Sequence, residues 1–230
     1  EEQKQEYLPR IAEGQIIMTL ALTEPSARWD APGVELTATS NGDSYTLSGT
    51  KLFVQNAHVS DYMVVVARTG SSEEDISLFV VPTQSDGINQ TLLKTIASDR
   101  QSEVVFSDVQ VPSSALLGVE NKGWETIQKV MQWGAIGKCA EMSGGGQQVL
   151  DMTVDYVKQR TQFGRPIGSF QAIQHHCANM ATDVEGSKFI TYQAAWRLSE
   201  GLPADREVAM AKAWVSDAYR RVCALGHQSH

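Results

Sequence analysis

The sequence predicts an α+β fold: a small antiparallel β barrel or sandwich, then an up-and-down helical bundle that is an incomplete four-helix bundle. Two observations carry this. Across 16–118 the apolar residues recur mostly at every second position, broken at short intervals by Gly, Asn, Asp and Pro. After Gly118 the spacing turns helical, and turn signals are scarce until Gly164-Arg165-Pro166. The division is therefore 1–15 as a polar helical tail, 16–118 as a β domain and 119–230 as a truncated helical bundle.

Within the β half, Val34, Leu36 and Ala38 alternate with polar neighbours, Asn41-Gly42 tolerates positive φ, and Tyr45 and Leu47 resume the alternation, which predicts a hairpin. Residues 51–56 read as another strand ending in polar side chains. The β-branched runs 62–67 and 76–81, separated by the charged stretch 71–75, form a second hairpin. Residues 103–111 add a strand closed by Pro112, which cannot donate to a ladder.

In the helical half, a first helix is expected over about 123–160 and a second over about 169–200, with Phe170, Ile173, Cys177, Met180 and Val184 on one face. Gly201-Leu202-Pro203 ends it. A third begins near Pro203, which suits a first-turn position, and carries the stripe Val208, Ala211, Val215, Ala218, Val222 and Leu225 with no stop signal before His230. An unfinished third element implies a missing partner helix. Gly144-Gly145-Gly146 inside the first helix costs about 1 kcal/mol per glycine against alanine, so either close approach of another helix or a bend is expected there.

The chain has 230 residues, 42% of them hydrophobic, and no apolar run long enough to cross a bilayer, so no membrane insertion is expected. A formal charge of −8 disfavours a nucleic-acid surface. Cys139, Cys177 and Cys223 are widely spaced and read as reduced core thiols, and no charged leader with an apolar core opens the chain; both features suggest a cytoplasmic protein. His175-His176-Cys177 is no metal motif, because adjacent helical residues point about 100° apart. There is no G-x-G-x-x-G after a strand, no G-x-S-x-G elbow and no HExxH.

Three segments offer chemistry. Thr23-Glu24-Pro25 follows the apolar run 16–22 and marks a strand end where Thr23 presents a hydroxyl and a backbone amide, either to a ligand or merely to a loop. Phe53 either covers an aromatic ring or fills core. Arg160, ending a helix, either complements the macrodipole or offers a planar fork to a pyrophosphate, with Phe163 packing beside a ring.

In order and spacing these motifs resemble the acyl-CoA dehydrogenase family over essentially the whole chain. The residues that carry the resemblance are Leu20-Ala21-Leu22-Thr23-Glu24-Pro25; Gly49-Thr50-Lys51-Leu52-Phe53 with Asn56; Phe106-Ser107-Asp108-Val109-Gln110-Val111-Pro112 followed by Leu116-Leu117-Gly118; and Arg160-Thr161-Gln162-Phe163-Gly164-Arg165-Pro166-Ile167 with Phe170-Gln171. The resemblance implies α,β-dehydrogenation of an acyl-CoA, with hydride passing to N5 of FAD. It also implies an electron-transfer flavoprotein or similar acceptor, and a homotetramer or heterotetramer. Leu22, Thr23, Phe53 and Gln55 would address the flavin, Arg160 and Phe163 the FAD of an adjacent subunit, and Gln228 its ADP part. Residues 1–15 would be the tail of an N-terminal helical domain.

The chain also departs from the family pattern. Ser26-Ala27-Arg28-Trp29-Asp30 replaces a run of small residues ending in Ser-Asp, which makes Arg28 and Trp29 candidates for contact with substrate. Gln55 stands where Thr or Ser usually approaches flavin N5. Ala135 replaces a frequent Arg, and Gly134 occupies the position of the base in a minority of members, so no catalytic residue is assigned; the commoner Glu base would fall beyond His230. A catalytically silent subunit completing a partner's FAD site, and an acyl-CoA oxidase, are the alternatives.

Overall fold

The computed structural model describes residues 1–97 and 99–230, which divide into two compact units, Glu1–Ile127 and Gln128–His230. In the first unit, helix α1 (Glu2–Ala12) precedes eight strands: β1 (Met18–Ala21), β2 (Thr37–Ser40), β3 (Ser44–Gln55), β4 (Tyr62–Arg68), β5 (Ile76–Pro82), β6 (Ile88–Leu93), β7 (Gln101–Pro112) and β8 (Leu116–Leu117). They form one sheet in the order β6-β7-β3-β2-β4-β5-β8, with β1 bonded to β4. Both predicted hairpins are present, pairing Ala38 with Leu47 and Val65 with Phe79.

The sheet is mixed, not antiparallel as expected. β1 runs parallel to β4, with Met18 opposite Tyr62, and β2 meets β4 in parallel at Thr37 and Arg68. Parallel neighbours need a crossover, and the β2–β3 hairpin lies within the connection from β1 to β4; period-two reading sees strands but not their direction. The segment 51–56 is no separate strand but the second half of β3. β6 went unpredicted because Ile-Asn-Gln-Thr-Leu-Leu has little β-branched content and its edge position asks for little burial.

The core of this unit is built from inward positions such as Leu36, Leu47, Met63, Val65, Phe79 and Phe106. Two irregularities shape β3 against β7. Between Leu47 and Gly49 the extra residue lies in β7, where Asp108 has φ 52° and accepts from Ser48 Oγ at 2.7 Å. Between Lys51 and Val54 the extra residue lies in β3, where Phe53 has φ 54°. A bulge of this kind bends the strand and re-aims a side chain.

The second unit holds most of α2 (Gly123–Gln159), then α3 (Gln171–Ser199) and α4 (Asp205–Ser229). Ile136, Cys139, Ala194, Ala211 and Val215 form one buried cluster, and Met180, Val184 and Val222 another. α2 runs through Gly144–Gly146 without interruption. Close approach accounts for two of the three glycines: a Cβ on Gly145 would sit 3.1 Å from Tyr219 Oη, and one on Gly146 3.5 Å from a Val184 methyl, while Gly144 has no such neighbour. Pro203 precedes the cap residue Ala204 and is outside the first turn. Only Cys139 is fully buried; Cys177 and Cys223 are half-buried, and all three are free thiols. Among the described residues no helix is long and apolar enough to cross a membrane.

Candidate functional site

A concavity of about 780 Å³ in the first unit opens where β1 ends beside the second half of β3. Leu22, Thr23, Trp29, Phe53 and Gln55 all line it, together with Asn56. Five residues singled out from three separate sequence segments thus share one cleft. Arg28 does not line it.

Each wall has a local cause. β1 stops at Ala21, and the chain is then held to β3 by Leu52 N, which donates to Thr23 O at 2.7 Å. The Thr23 hydroxyl and the Gln55 and Asn56 side-chain amides have no hydrogen-bond partner among the described residues, so the cleft offers free donors and acceptors. The bulge in β3 turns Phe53 outward, leaving the residue 53% exposed. A bulky residue at positive φ is strained, and such strain collects where a ligand is gripped.

Trp29 rides a constrained loop. Ser26 Oγ donates to Gly33 O at 2.9 Å, and Asp30 Oδ1 accepts from Gly33 N at 3.2 Å. Gly33 has no room for a side chain, since a Cβ there would lie 2.4 Å from Arg28 Cβ. Arg68 ties the loop's far end to the sheet through Ala31 O at 2.8 Å and Val34 O at 3.0 Å. Trp29 is 64% exposed and leaves the cleft open instead of plugging it. Arg28, a candidate for substrate contact on sequence, is already paired with Asp30 at 2.6 Å.

Sequence reasoning missed Lys51 and Glu24. The Lys51 side chain is wholly buried, with Nζ 2.5 Å from Glu24 Oε1 and 3.2 Å from Leu22 O. Glu24, only 3% exposed, also accepts Glu35 N at 2.7 Å and Leu36 N at 3.1 Å. Burial pulls the Lys51 ammonium down to about 8, with Glu24 opposing that shift. The available signal was parity: Tyr45 and Leu47 point inward, so Lys51, further along the same phase, needed an acid.

In the second unit, Arg160 follows the last residue of α2 and Phe163 sits in a tight hairpin between β9 (Thr161–Gln162) and β10 (Arg165–Pro166). Positive φ at Phe163 (50°) and Gly164 (75°) suits a two-residue turn. Phe163 is 92% exposed, while Arg165 stacks over Phe170 at 4.1 Å. The Arg160 guanidinium and the Gln228 amide are exposed and have no side-chain partner among the described residues. Among those residues no group of His, Cys, Asp or Glu is arranged to hold a metal.

A β unit with an open, partly aromatic cleft, followed in the chain by a helical unit with an exposed hairpin at Phe163, defines a two-part α+β protein. The chain belongs to the acyl-CoA dehydrogenase family: residues 19–109 match the family's middle domain and residues 121–230 its C-terminal domain. It is 36% identical, over 100% of its length and 62% of the relative's, to a caffeyl-CoA reductase–Etf complex subunit of Acetobacterium woodii. Butyryl-CoA dehydrogenase of Megasphaera elsdenii superposes with a TM-score of 0.93 at 34% identity, covering 99% of this chain and 61% of that one. The FAD complex of PigA superposes with a TM-score of 0.94 at 29% identity, over 99% and 61%. The chain spans about three fifths of the length of the curated relatives it matches.

Proposed function

We propose that the full-length protein is an FAD-dependent acyl-CoA dehydrogenase, converting an acyl-CoA to the 2-enoyl-CoA or running the reverse reduction. The observation that carries this reading is the convergence of Leu22, Thr23, Phe53, Gln55 and Trp29 on one cleft. The cleft fits a flavin: unpartnered Thr23, Gln55 and Asn56 groups suit its ring heteroatoms, and the exposed Phe53 ring suits its face. FAD, when bound, supplies the acceptor for the hydride that leaves the β-carbon as the α-proton is removed.

The chain's own residues bind and orient. Thr23 offers its hydroxyl beside the strand end, Gln55 an amide in place of the usual hydroxyl, and Trp29 a wall at the cleft's edge. Arg160, Phe163 and Gln228 serve the FAD of a neighbouring subunit in a homotetramer or heterotetramer, which accounts for their exposure. An electron-transfer flavoprotein is the proposed redox partner, as the name of the A. woodii relative suggests. Flavin absorbance in the purified full-length protein, bleached anaerobically by an acyl-CoA, is the expected result; a protein that takes up no flavin overturns the reading.

A second reading has its own support. Gly134 and Ala135 in α2 present no carboxylate, and Gln55 replaces a hydroxyl, which favours a silent subunit that completes the FAD site of an active partner. Such a protein holds flavin without bleaching.

A further inference from the structure

Residues 22–24 are anchored to β3 three times in succession. Leu22 O accepts from Lys51 Nζ at 3.2 Å, Thr23 O from Leu52 N at 2.7 Å, and the Glu24 carboxylate pairs with Lys51 Nζ at 2.5 Å. Neither Lys51 nor Glu24 lines the cleft, whereas Leu22 and Thr23 both do. The ion pair therefore lies behind the cleft wall and reaches the cleft only through the backbone it holds.

Stability alone is a poor reason for such a pair. Removing two charges from water offsets most of their attraction, and apolar side chains of similar volume hold a core at least as well. What apolar packing lacks is direction. The ammonium needs its acceptors at set angles, and Glu24 is saturated by Lys51, Glu35 N and Leu36 N, which also joins the strand end to the segment entering β2. The wall can then adopt one geometry only.

We propose that Lys51 and Glu24 are positioning residues for the cofactor cleft, fixing the Leu22–Thr23 backbone and so the place where the Thr23 hydroxyl meets the flavin ring. The inference rests on the FAD reading above, and its test separates the two. In the full-length protein, Glu24→Gln combined with Lys51→Met removes both charges and leaves neither one buried alone. Three quantities are compared with wild type: the thermal midpoint, amide hydrogen exchange at Leu36 and Leu52, whose N–H groups donate to Glu24 and to Thr23 O, and FAD affinity with the position of the flavin absorption band.

The expected result is a cooperatively folded double variant whose Leu36 and Leu52 amides exchange at least tenfold faster, whose FAD dissociation constant rises at least tenfold, and whose flavin band shifts. A folded double variant with unchanged exchange, affinity and band overturns the proposal and leaves the pair a purely structural device. Should the double variant not fold, Glu24→Asp carries the same readouts, since it keeps both charges but draws the carboxylate back by one methylene from Lys51 Nζ and the Glu35 and Leu36 amides. If wild type itself holds no flavin, the FAD reading fails, and exchange at Leu36 and Leu52 decides whether the pair fixes the wall.

Discussion

Arg28 and Asp30 form a two-pronged ion pair at the tip of the loop that carries Trp29: Nε donates to Oδ1 at 2.9 Å and Nη2 to Oδ2 at 2.6 Å. Arg28 is the main cause that holds the Asp30 carboxyl below its ordinary range. Because the folded value is depressed, the pair's contribution is present above the ordinary carboxylate range and fades as pH falls through the folded value. The residue between the two partners is the one that faces the cleft.

If Arg28 acts by bracing Trp29, then Arg28→Ala, Asp30→Ala and the double variant should weaken acyl-CoA binding by the same factor, since each breaks one brace. Titration of a CoA ester at two ionic strengths checks this. Tighter, more salt-sensitive binding in Asp30→Ala, with weaker binding in Arg28→Ala, would show instead that Arg28 meets a phosphate directly.

Trp29→Ser should retain FAD, because Thr23, Phe53 and Gln55 remain, while acyl-CoA affinity falls by about 1–2 kcal/mol as one apolar wall is lost. Equilibrium binding of both ligands measures the split. A variant that gains FAD where wild type holds none would show that the indole blocks the cleft.

Lys51 gives a pH dependence whose two parts run in opposite directions. Its folded value of about 8 lies below the ordinary lysine value of 10.5. Between these limits the unfolded chain binds the extra proton, so this group alone makes the fold more stable as pH rises through the window. The hold on Leu22 O and Glu24 weakens over the same range as the ammonium is lost. FAD affinity should therefore drop above about pH 8 while the thermal midpoint does not, and Lys51→Met paired with Glu24→Gln should abolish the drop. Parallel loss of midpoint and affinity in wild type would tie the effect to unfolding.

How far the site could be read from sequence follows from what each signal encodes. Alternation around Asn41-Gly42 and across 62–81 located hairpins because each lies in one stretch of chain. Thr23, Phe53 and Gln55 could be named from ordered motifs, but their meeting in one cleft depends on the chain at the end of β1 bonding to the second half of β3, through Leu52 N to Thr23 O, which period-two spacing does not encode. Lys51 escaped because a lysine in a strand reads as exposed unless its acid is known, and Glu24 is 27 residues away. The pairing of Arg28 with Asp30 was not legible because the partner is two residues further on, where strand or loop spacing gives no rule for pairing.

Arg160 offers the sharpest separation between a helix-end role and a cofactor role. It follows α2, its carbonyl accepts from Ile167 N at 2.8 Å, and its exposed guanidinium has no side-chain partner among the described residues. A cation at a helix C-terminus is worth about 0.3–1 kcal/mol, whereas a charge-assisted bond to a phosphate is worth about 1.5–3 kcal/mol. Arg160→Ala should therefore lower the thermal midpoint of the flavin-free protein by a few degrees at most, yet weaken FAD binding roughly tenfold to a hundredfold. Arg160→Lys should recover only part of the loss, since an ammonium keeps the charge but not the fork. Calorimetric FAD titration beside thermal unfolding of the apoprotein decides it: an unchanged FAD affinity with a large fall in midpoint would confine Arg160 to capping the helix.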